Sequence, residues 1–179
     1  MQRVDLSTYN NSWYNPGNAI KRLLWFYINA LIFKSDFIPI NFIKIATLRA
    51  FGAKVGKSVT IKPAVNIKYP WHLTIGNHVW IGENVWLDSL GEIIIADNVC
   101  ISQGALILTG NHNYKSPSFD LIIKPVELKE GVWIGAKSIV CPGVVCHSHA
   151  VLTVGSVANK DMDAYYIYTG VPASKVRQR

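Results

Sequence analysis

His112 is the residue of this chain best suited to acid–base chemistry, and it lies in the segment TGNHNYKSP at residues 109–117. A neutral imidazole can accept a hydroxyl proton at one ring nitrogen near neutral pH. A backbone carbonyl or a side-chain oxygen can hold the other ring nitrogen and thereby select the tautomer. Most lone loop histidines have no such role, so the case for His112 depends on what surrounds it.

The surrounding sequence is a sixfold repeat of isoleucine, leucine or valine, often followed by glycine. It is clearest at residues 75–80 (IGNHVW) and 81–86 (IGENVW). Neither a helix, with a period of 3.6, nor an alternating strand, with a period of 2, produces a sixfold repeat. A coil with three flat faces does, because each hexapeptide supplies one face and one corner. The repeat therefore predicts a parallel β-helix, in which each coil buries its apolar layer against its neighbours.

The inward-facing anchors of this repeat can be followed through most of the chain. They are Val55, Ile61, Ile67, Ile75, Ile81, Leu87, Ile95, Ile101, Ile107, Leu128, Ile134, Val140, Cys146, Leu152 and Ala158. A small or β-branched residue lies four positions after most anchors, as expected for a second inward position near a corner. The long break between Ile107 and Leu128 predicts one projecting loop at residues 109–127. Such departures are usually functional, which supports a role for His112.

The first fifty residues lie outside the repeat and predict two helices. Asn18 is a suitable N-cap for a helix over residues 19–34, and Gly52 is a suitable stop for a second helix over residues 41–51. We expect these helices to cap the open end of the coil or to pack on a neighbouring subunit, because an exposed coil end is an unpaired β edge.

A membrane surface is the alternative partner of residues 19–34, which carry Lys21, Arg22 and Lys34 beside an apolar run. That apolar run, residues 23–33, is shorter than the ~20 residues that span a bilayer. Residues 1–18 are polar and show no signal-peptide pattern, which favours a cytoplasmic location. Contact of residues 19–34 with a membrane surface would place the protein at the periphery of the inner membrane instead.

Length and composition indicate one folded domain, with 179 residues of which 50% are apolar and 16% charged. We divide it into residues 1–52 (N-terminal tail and capping helices), 53–161 (β-helix with the loop 109–127) and 162–179 (C-terminal tail). The three cysteines, Cys100, Cys141 and Cys146, form no CxxC pair and are interpreted as reduced thiols.

Several motifs resemble the hexapeptide-repeat, or left-handed β-helix, acyltransferases. Besides the repeat, they are residues 109–112 (TGNH), 132–135 (VWIG) and 170–173 (GVPA). Within this superfamily the likeness is strongest to the colanic-acid and capsule-type O-acetyltransferases. That likeness rests on residues 17–21 (GNAIK), 51–56 (FGAKVG), 69–71 (YPW) and 90–92 (LGE). The implied fold is all-β, a left-handed parallel β-helix with N-terminal α-helices and one projecting loop.

The resemblance also implies an activity, which is O-acetyl transfer from acetyl-coenzyme A to a sugar or glycan precursor of the exopolysaccharide, capsule or O-antigen type. His112 would be the general base, and the acceptor oxygen would attack the thioester without a covalent enzyme intermediate. Asn84 aligns with a coil asparagine that contacts the acceptor, although a corner asparagine with left-handed backbone is an equal interpretation. Asn111 and Tyr114 flank His112 and are weaker candidates for lining the acceptor pocket.

For the cofactor, the resemblance implies contacts at Ala136, Val154, Asn159, Lys160 and Arg177. The backbone of the first two would hold the pantetheine arm, and the last three would lie near the phosphates. No metal is expected. A net charge of +7 suits a phosphate-bearing cofactor. Nucleic acid is a weaker explanation of that charge, because the basic residues are dispersed and no binding motif occurs.

The chain departs from the family pattern at Ser174, where the family usually has lysine or arginine, with Lys175 one place later. Which basic residue meets the phosphates is therefore open. Trp80, Trp86 and Trp133 recur at one hexapeptide position and predict an outward aromatic surface. In the family, three parallel coils form a trimer, so a homotrimer is the expected assembly.

Three other functions have to be weighed for the same repeat. The γ-class carbonic anhydrases use zinc held by three histidines, and they need a second histidine five residues after the one in the loop. That position is Pro117 here, while His147 and His149 lie on a later coil. Acetylation of another small hydroxyl or amine acceptor also remains open. A non-catalytic scaffold is the third class, and it would have no need of His112.

Overall fold

Each predicted hexapeptide forms one short strand and one corner, and three strands complete a coil. The computed structural model describes residues 3–179. Successive coils stack in parallel register, so that Ile61 lies opposite Ile81, which in turn lies opposite Ile101. The series continues from Ile101 to Ile134 and then to Leu152. The repeat thus folds as a β-helix, which confirms the predicted fold class.

The coil has three faces, each a sheet whose strands run parallel except for the last strand of the second face. The first face contains strands Lys54–Val55, Leu73–Ile75, Ile93–Ile95, Val126–Leu128 and Val145–Cys146. The second contains Thr60–Ile61, Trp80–Ile81, Cys100–Ile101, Trp133–Ile134, Val151–Leu152, Tyr166–Gly170 and Ala173–Gln178. The third contains Asn66–Ile67, Trp86–Asp88, Leu106–Leu108, Ile139–Val140 and Val157–Ala158.

The core is a stack of aliphatic layers along the coil axis. Every predicted anchor except the half-buried Val55 is at least 98% buried. The second inward positions are also buried, from Val59 and Val65 in the first coil to Ser156 in the last complete one. Removing one such aliphatic side chain from water stabilises the fold by about 1.5–3 kcal/mol.

The N-terminal helices are α1 (Ala19–Ile28), which continues through one π-helical turn (Asn29–Phe33), and α2 (Asn41–Ala50). The side chain of Asn18 accepts hydrogen bonds from the backbone N–H groups of residues 20 and 21, as expected of an N-cap. The predicted helices therefore form, and each ends within one residue of its predicted boundary.

These helices cover the first coil, because their side chains satisfy its free backbone groups. The Trp25 indole donates to the carbonyl oxygen of Ile67 at 2.8 Å. The buried Lys44 donates to the carbonyl of Lys62 at 2.9 Å, and burial lowers the pKa of its ammonium group. Leu48 is fully buried against the same coil. The cap predicted for the open coil end is thus present within one chain.

The segment predicted as a C-terminal tail, residues 162–179, forms strands. Tyr166–Gly170 lies parallel to Val151–Leu152 on the second face, and Ala173–Gln178 turns back antiparallel to it. The inward position below Leu152 is taken by Tyr168, which is 8% exposed. The coil thus continues past residue 161. The aliphatic pattern did not reveal this because an aromatic residue replaces the aliphatic anchor. In the segment predicted for residues 1–52, residues 1 and 2 lie outside the described part of the chain.

The predicted projecting loop begins as a small antiparallel hairpin. Gly110–His112 pairs with Leu121–Ile123, and His112 lies opposite Leu121. The chain then rejoins the first face at Val126–Leu128. The hairpin therefore holds His112 outside the regular coil on a paired strand.

Candidate active site

His112 is held in one ring orientation by Phe119, across the loop. The imidazole Nδ1 donates to the carbonyl oxygen of Phe119 at 2.9 Å. The two rings also stack, with centroids 4.4 Å apart and planes 9° from parallel. Because a carbonyl oxygen only accepts, Nδ1 carries the proton and Nε2 of a neutral ring keeps its lone pair. This is the arrangement that a general base needs.

Hydrogen bonds within the loop support this geometry. The Ser118 hydroxyl donates to the Asp120 carboxylate at 2.6 Å, and this bond together with Ser116 lowers the pKa of that carboxyl group. The backbone N–H of Asp5 donates to the carbonyl of Pro117 at 2.8 Å. The loop is therefore tied to the N-terminal segment as well as to itself.

That N-terminal segment forms one wall of the cleft that contains His112. The cleft has a volume of about 500 Å³, and its lining includes Tyr9, Asn11 and Tyr14. The Tyr9 and His112 rings are 5.8 Å apart between centroids. The Tyr14 hydroxyl donates to the carbonyl of Leu90 at 2.8 Å, and burial is the main cause of the raised pKa of that phenol. Sequence reasoning missed this wall, for which the only signal was the tyrosine and asparagine content of the segment.

The three predicted acceptor residues differ in position. Asn84 has φ 58°, so it is a left-handed corner residue, and it does not line the His112 cleft. The side chain of Asn111 accepts from the backbone N–H of His112 at 2.8 Å and so fastens the strand that carries the imidazole. Tyr114 is 73% exposed at the loop tip. None of the three lines the cleft of a single chain, and only Asn111 bonds to the backbone of His112.

Ala136 and Val154, the predicted pantetheine contacts, line one groove. Their corners belong to adjacent coils and are joined by a hydrogen bond from the N–H of Gly155 to the carbonyl of Ala136 at 2.9 Å. The groove measures about 450 Å³, and Trp133 and Thr153 also line it. Within residues 3–179, no backbone carbonyl accepts from the N–H of Ala136 or Val154. Both amides are thus free to bind an extended ligand.

The predicted phosphate contacts lie at the C-terminal end of the coil. Lys160 is exposed and shares a cavity of about 340 Å³ with Ser174 and Lys175. Lys175 pairs with Asp163, whose pKa is lowered first by that hydrogen bond. Asn159 and Arg177 are exposed and do not line this cavity.

The other histidines and the tryptophans lie elsewhere. The ring of His149 stacks on Tyr165 at 4.9 Å. Trp80 and Trp133 lie on the second face and Trp86 on the third, each between 43% and 47% exposed.

In residues 3–179, no three His, Cys, Asp or Glu side chains are grouped so as to hold a metal ion. No described helix combines the length and apolar character needed to cross a membrane.

Similarity to known proteins identifies the family. The sequence is 37% identical over 166 residues to the colanic acid biosynthesis acetyltransferase WcaF of Escherichia coli strain K12, covering 93% of this chain and 91% of that protein. The chain belongs to the hexapeptide-repeat acyltransferases. The galactoside O-acetyltransferase of E. coli is a more distant member, at 27% identity over 129 residues, 70% of this chain and 64% of that one. No family model matches the sequence.

Solved structures of hexapeptide-repeat acyltransferases share the fold. The hexapeptide-repeat acetyltransferase of Vibrio cholerae, solved with acetyl-coenzyme A, superposes with a TM-score of 0.82 at 22% identity, covering 92% of this chain and 91% of that one. A variant of the N-acyltransferase AntD of Bacillus cereus, solved with dTDP and coenzyme A, gives 0.63 at 26% identity, with 75% and 89% covered. In this chain His112 lies on a hairpin that leaves the coil.

Proposed function

We propose that this acyltransferase moves an acetyl group from acetyl-coenzyme A to a hydroxyl of a sugar or glycan precursor, with His112 as general base. The observation that carries the proposal is the bond from His112 Nδ1 to the Phe119 carbonyl, which directs an unprotonated Nε2 toward a substrate hydroxyl. The relative at 37% identity, named for colanic acid biosynthesis, supports a sugar acceptor.

The proposed reaction is one direct transfer. Nε2 of His112 takes the acceptor proton as the acceptor oxygen forms its bond to the thioester carbonyl carbon. The carbon–sulfur bond then breaks, and the imidazolium returns the proton to the sulfur of coenzyme A. Rates for such acid–base steps rise by about 10²–10⁴ over the uncatalysed step.

The cofactor is proposed to lie in the groove of Ala136 and Val154. Their two free amides would bind the carbonyl groups of the pantetheine arm, and Lys160 would meet the phosphates at the coil end. Asn159 and Arg177 are proposed as outer phosphate contacts, because both are exposed near that end. Asn84, Asn111 and Tyr114 remain proposed acceptor contacts.

A homotrimer is proposed as the working assembly, in the cytoplasm. Trp80 and Trp133 expose nearly half their surface on one flat face, which would bury well against a neighbouring coil. Light scattering at assay concentrations is expected to give a trimer mass, and a fully active monomer would contradict the assembly.

An amine acceptor is the second candidate, and the likeness to the N-acyltransferase AntD favours it. The two products differ chemically, because hydroxylamine cleaves an acetyl ester and leaves an acetyl amide intact.

The test is to incubate the purified chain with labelled acetyl-coenzyme A and a panel of sugars, amino sugars and nucleotide sugars, followed by mass spectrometry. We expect a hydroxylamine-sensitive acetyl product from the wild type. His147→Ala, which changes an exposed histidine outside the cleft, serves as the matched control. Amides alone would establish the second candidate, and no transfer to any acceptor would leave only a scaffold role.

A further inference from the structure

Two basic side chains lie beside His112 and have no part in the transfer step. Arg22, in the first turn of α1, and Lys68, just after the strand Asn66–Ile67, line the same cleft as His112. They come from segments far apart in the sequence. The tertiary fold therefore brings two positive charges into the cleft of the proposed base.

In the described part of the chain, neither cation has a carboxylate partner within 4.0 Å. Within residues 3–179, the ion pairs closer than 4.0 Å are formed by Lys62, Lys129 and Lys175 with acidic residues. Arg22 also has a buried Nε that meets no hydrogen-bond acceptor. A buried polar group without a partner is uncommon in a folded protein, so Arg22 has hydrogen-bonding capacity that its protein neighbours do not use.

The carboxyl group that interacts with Lys68, that of Asp88, does not line the cleft. Burial raises the pKa of Asp88, and Lys68 acts in the opposite direction. The Tyr14 phenol stays neutral, because burial raises its pKa by more than the nearby charge of Arg22 lowers it. Among the described residues that line the His112 cleft, Arg22 and Lys68 bring positive charge and none is acidic, so the cleft suits an anionic ligand.

The same cations border a second cavity on the other side. This cavity, about 340 Å³, is lined by Arg22, Lys68 and Tyr69 together with Phe26, Ala30 and Lys34 of the first helical segment. The outer surface of α1 next to it is apolar, with Phe26 65% exposed. The two cations therefore line both the cleft of His112 and this second cavity, a mainly apolar groove in which Trp25, Phe26 and Trp86 lie beside the polar Asn29, Asn66 and Lys34.

We propose that Arg22 and Lys68 bind a phosphate or diphosphate attached to the acceptor sugar, so that the acceptor is a sugar phosphate ester. The proposal rests on the function proposed above, because it places the sugar at His112. Guanidinium groups pair with two phosphate oxygens in a planar fork, and ammonium groups add a point charge. A sugar diphosphate can come from a nucleotide or from an isoprenoid lipid, and the apolar groove would hold the lipid of the second.

The test measures binding of inorganic pyrophosphate, uridine diphosphate and farnesyl diphosphate by calorimetry, with coenzyme A saturating so that the cofactor site is filled. We expect all three to bind the wild type. Arg22→Gln and Lys68→Gln should each raise the dissociation constants about 10-fold or more, as loss of a charge-assisted hydrogen bond implies. Tighter binding of farnesyl diphosphate than of uridine diphosphate identifies the lipid source, and the reverse order the nucleotide.

Controls separate this site from general charge and from misfolding. Lys54→Gln removes an exposed lysine of the first face, outside the cleft, and should leave binding unchanged. Arg22→Lys keeps the charge without the fork and should fall between Arg22→Gln and the wild type. Loss of diphosphate binding when coenzyme A is added, or equal binding by every variant, would overturn the site.

A comparison of two acceptors shows whether the phosphate site or the transferase activity has failed. For the wild type, kcat/KM should be at least about 10-fold higher for a sugar 1-phosphate than for the matching methyl glycoside, and Arg22→Gln should reduce that ratio. Equal acetylation of both acceptors leaves the transferase and removes the phosphate site. Diphosphate binding that depends on Arg22, without transfer to any acceptor, removes the transferase instead.

Discussion

The groove of Ala136 and Val154 and the cleft of His112 are built in different ways. The groove consists of backbone at the corners of two adjacent coils, so its two free amides repeat with the coil itself. The cleft joins Tyr9, Arg22, Lys68 and His112, which are widely separated along the chain. The regular coil thus offers a generic site for an extended ligand, and the departures from it build a specific one.

Loss of the imidazole is the strongest test of the cleft as the reacting centre. His112→Ala should lower kcat for acetyl transfer by about 10² or more, because the step loses its general base. The rate is measured as coenzyme A release with a productive acceptor from the panel. The exposed His147, changed to alanine, should leave the rate intact. Unchanged turnover of His112→Ala would show that the cleft is not where the proton is removed.

A change at the C-terminal end of the coil should affect only the binding of acetyl-coenzyme A. Lys160→Ala should raise the KM for acetyl-coenzyme A about 10-fold, since one charge-assisted contact to a phosphate is lost, while the KM for the acceptor stays constant. Initial rates measured across both substrate concentrations give the two constants. Lys54→Ala is the matched control. If the acceptor constant moved instead, the assignment of the two regions would have to be exchanged.

A change in the N-terminal wall should affect only the cleft. Tyr9→Ala removes the ring that faces His112 and should raise the acceptor KM about 5-fold, which corresponds to roughly 1 kcal/mol of lost contact. The acetyl-coenzyme A constant should not change. Lys160→Ala is expected to change only the KM for acetyl-coenzyme A, and Tyr9→Ala only the KM for the acceptor. If both variants changed both KM values equally, the cofactor and the acceptor would not bind in separate regions.

The smallest expected effect tests how the wall is fastened. Tyr14→Phe loses the hydrogen bond to the Leu90 carbonyl and should lower the free energy of unfolding by about 0.5–1.5 kcal/mol. A thermal scan should show Tm lower by about 2–4 °C per kcal/mol. Tyr27→Phe changes a largely exposed ring and is the control. A Tm equal to that of the wild type would mean that the segment is not anchored at Tyr14.

Some of the site was predictable because it depends on local spacing. The break between Ile107 and Leu128 marked the loop of His112, and the family motifs placed Ala136 and Val154 on corners that prove to be adjacent. For the second ring nitrogen of His112, the sequence predicts only the type of hydrogen-bond partner, a backbone carbonyl or a side-chain oxygen, and not that the partner is Phe119. Its identity depends on how the loop turns back, which spacing does not encode.

Other parts were outside the reach of pattern reasoning. The aliphatic pattern predicts a tail where the strand around Tyr168 lies, because the inward position there is aromatic. Residues 3–17 carry no period, so nothing in their spacing indicated that they lie along the coil and reach Pro117. The sequence pattern assigns neither Arg22 nor Lys68 to the site of His112, and it places Arg22 only in the basic flank of the first helix, because the two residues share a cleft only in the fold.

The sequence by itself determined the coil, its capping helices, the position of the excursion and the family. Each of these follows from periodic burial or from short motifs, in which neighbouring residues carry the information. Only the tertiary structure decided which walls enclose His112 and which cations lie beside it. Contacts between distant segments depend on how helices and loop pack on the coil, and that packing is the sum of many small burial and hydrogen-bond energies that no local pattern records.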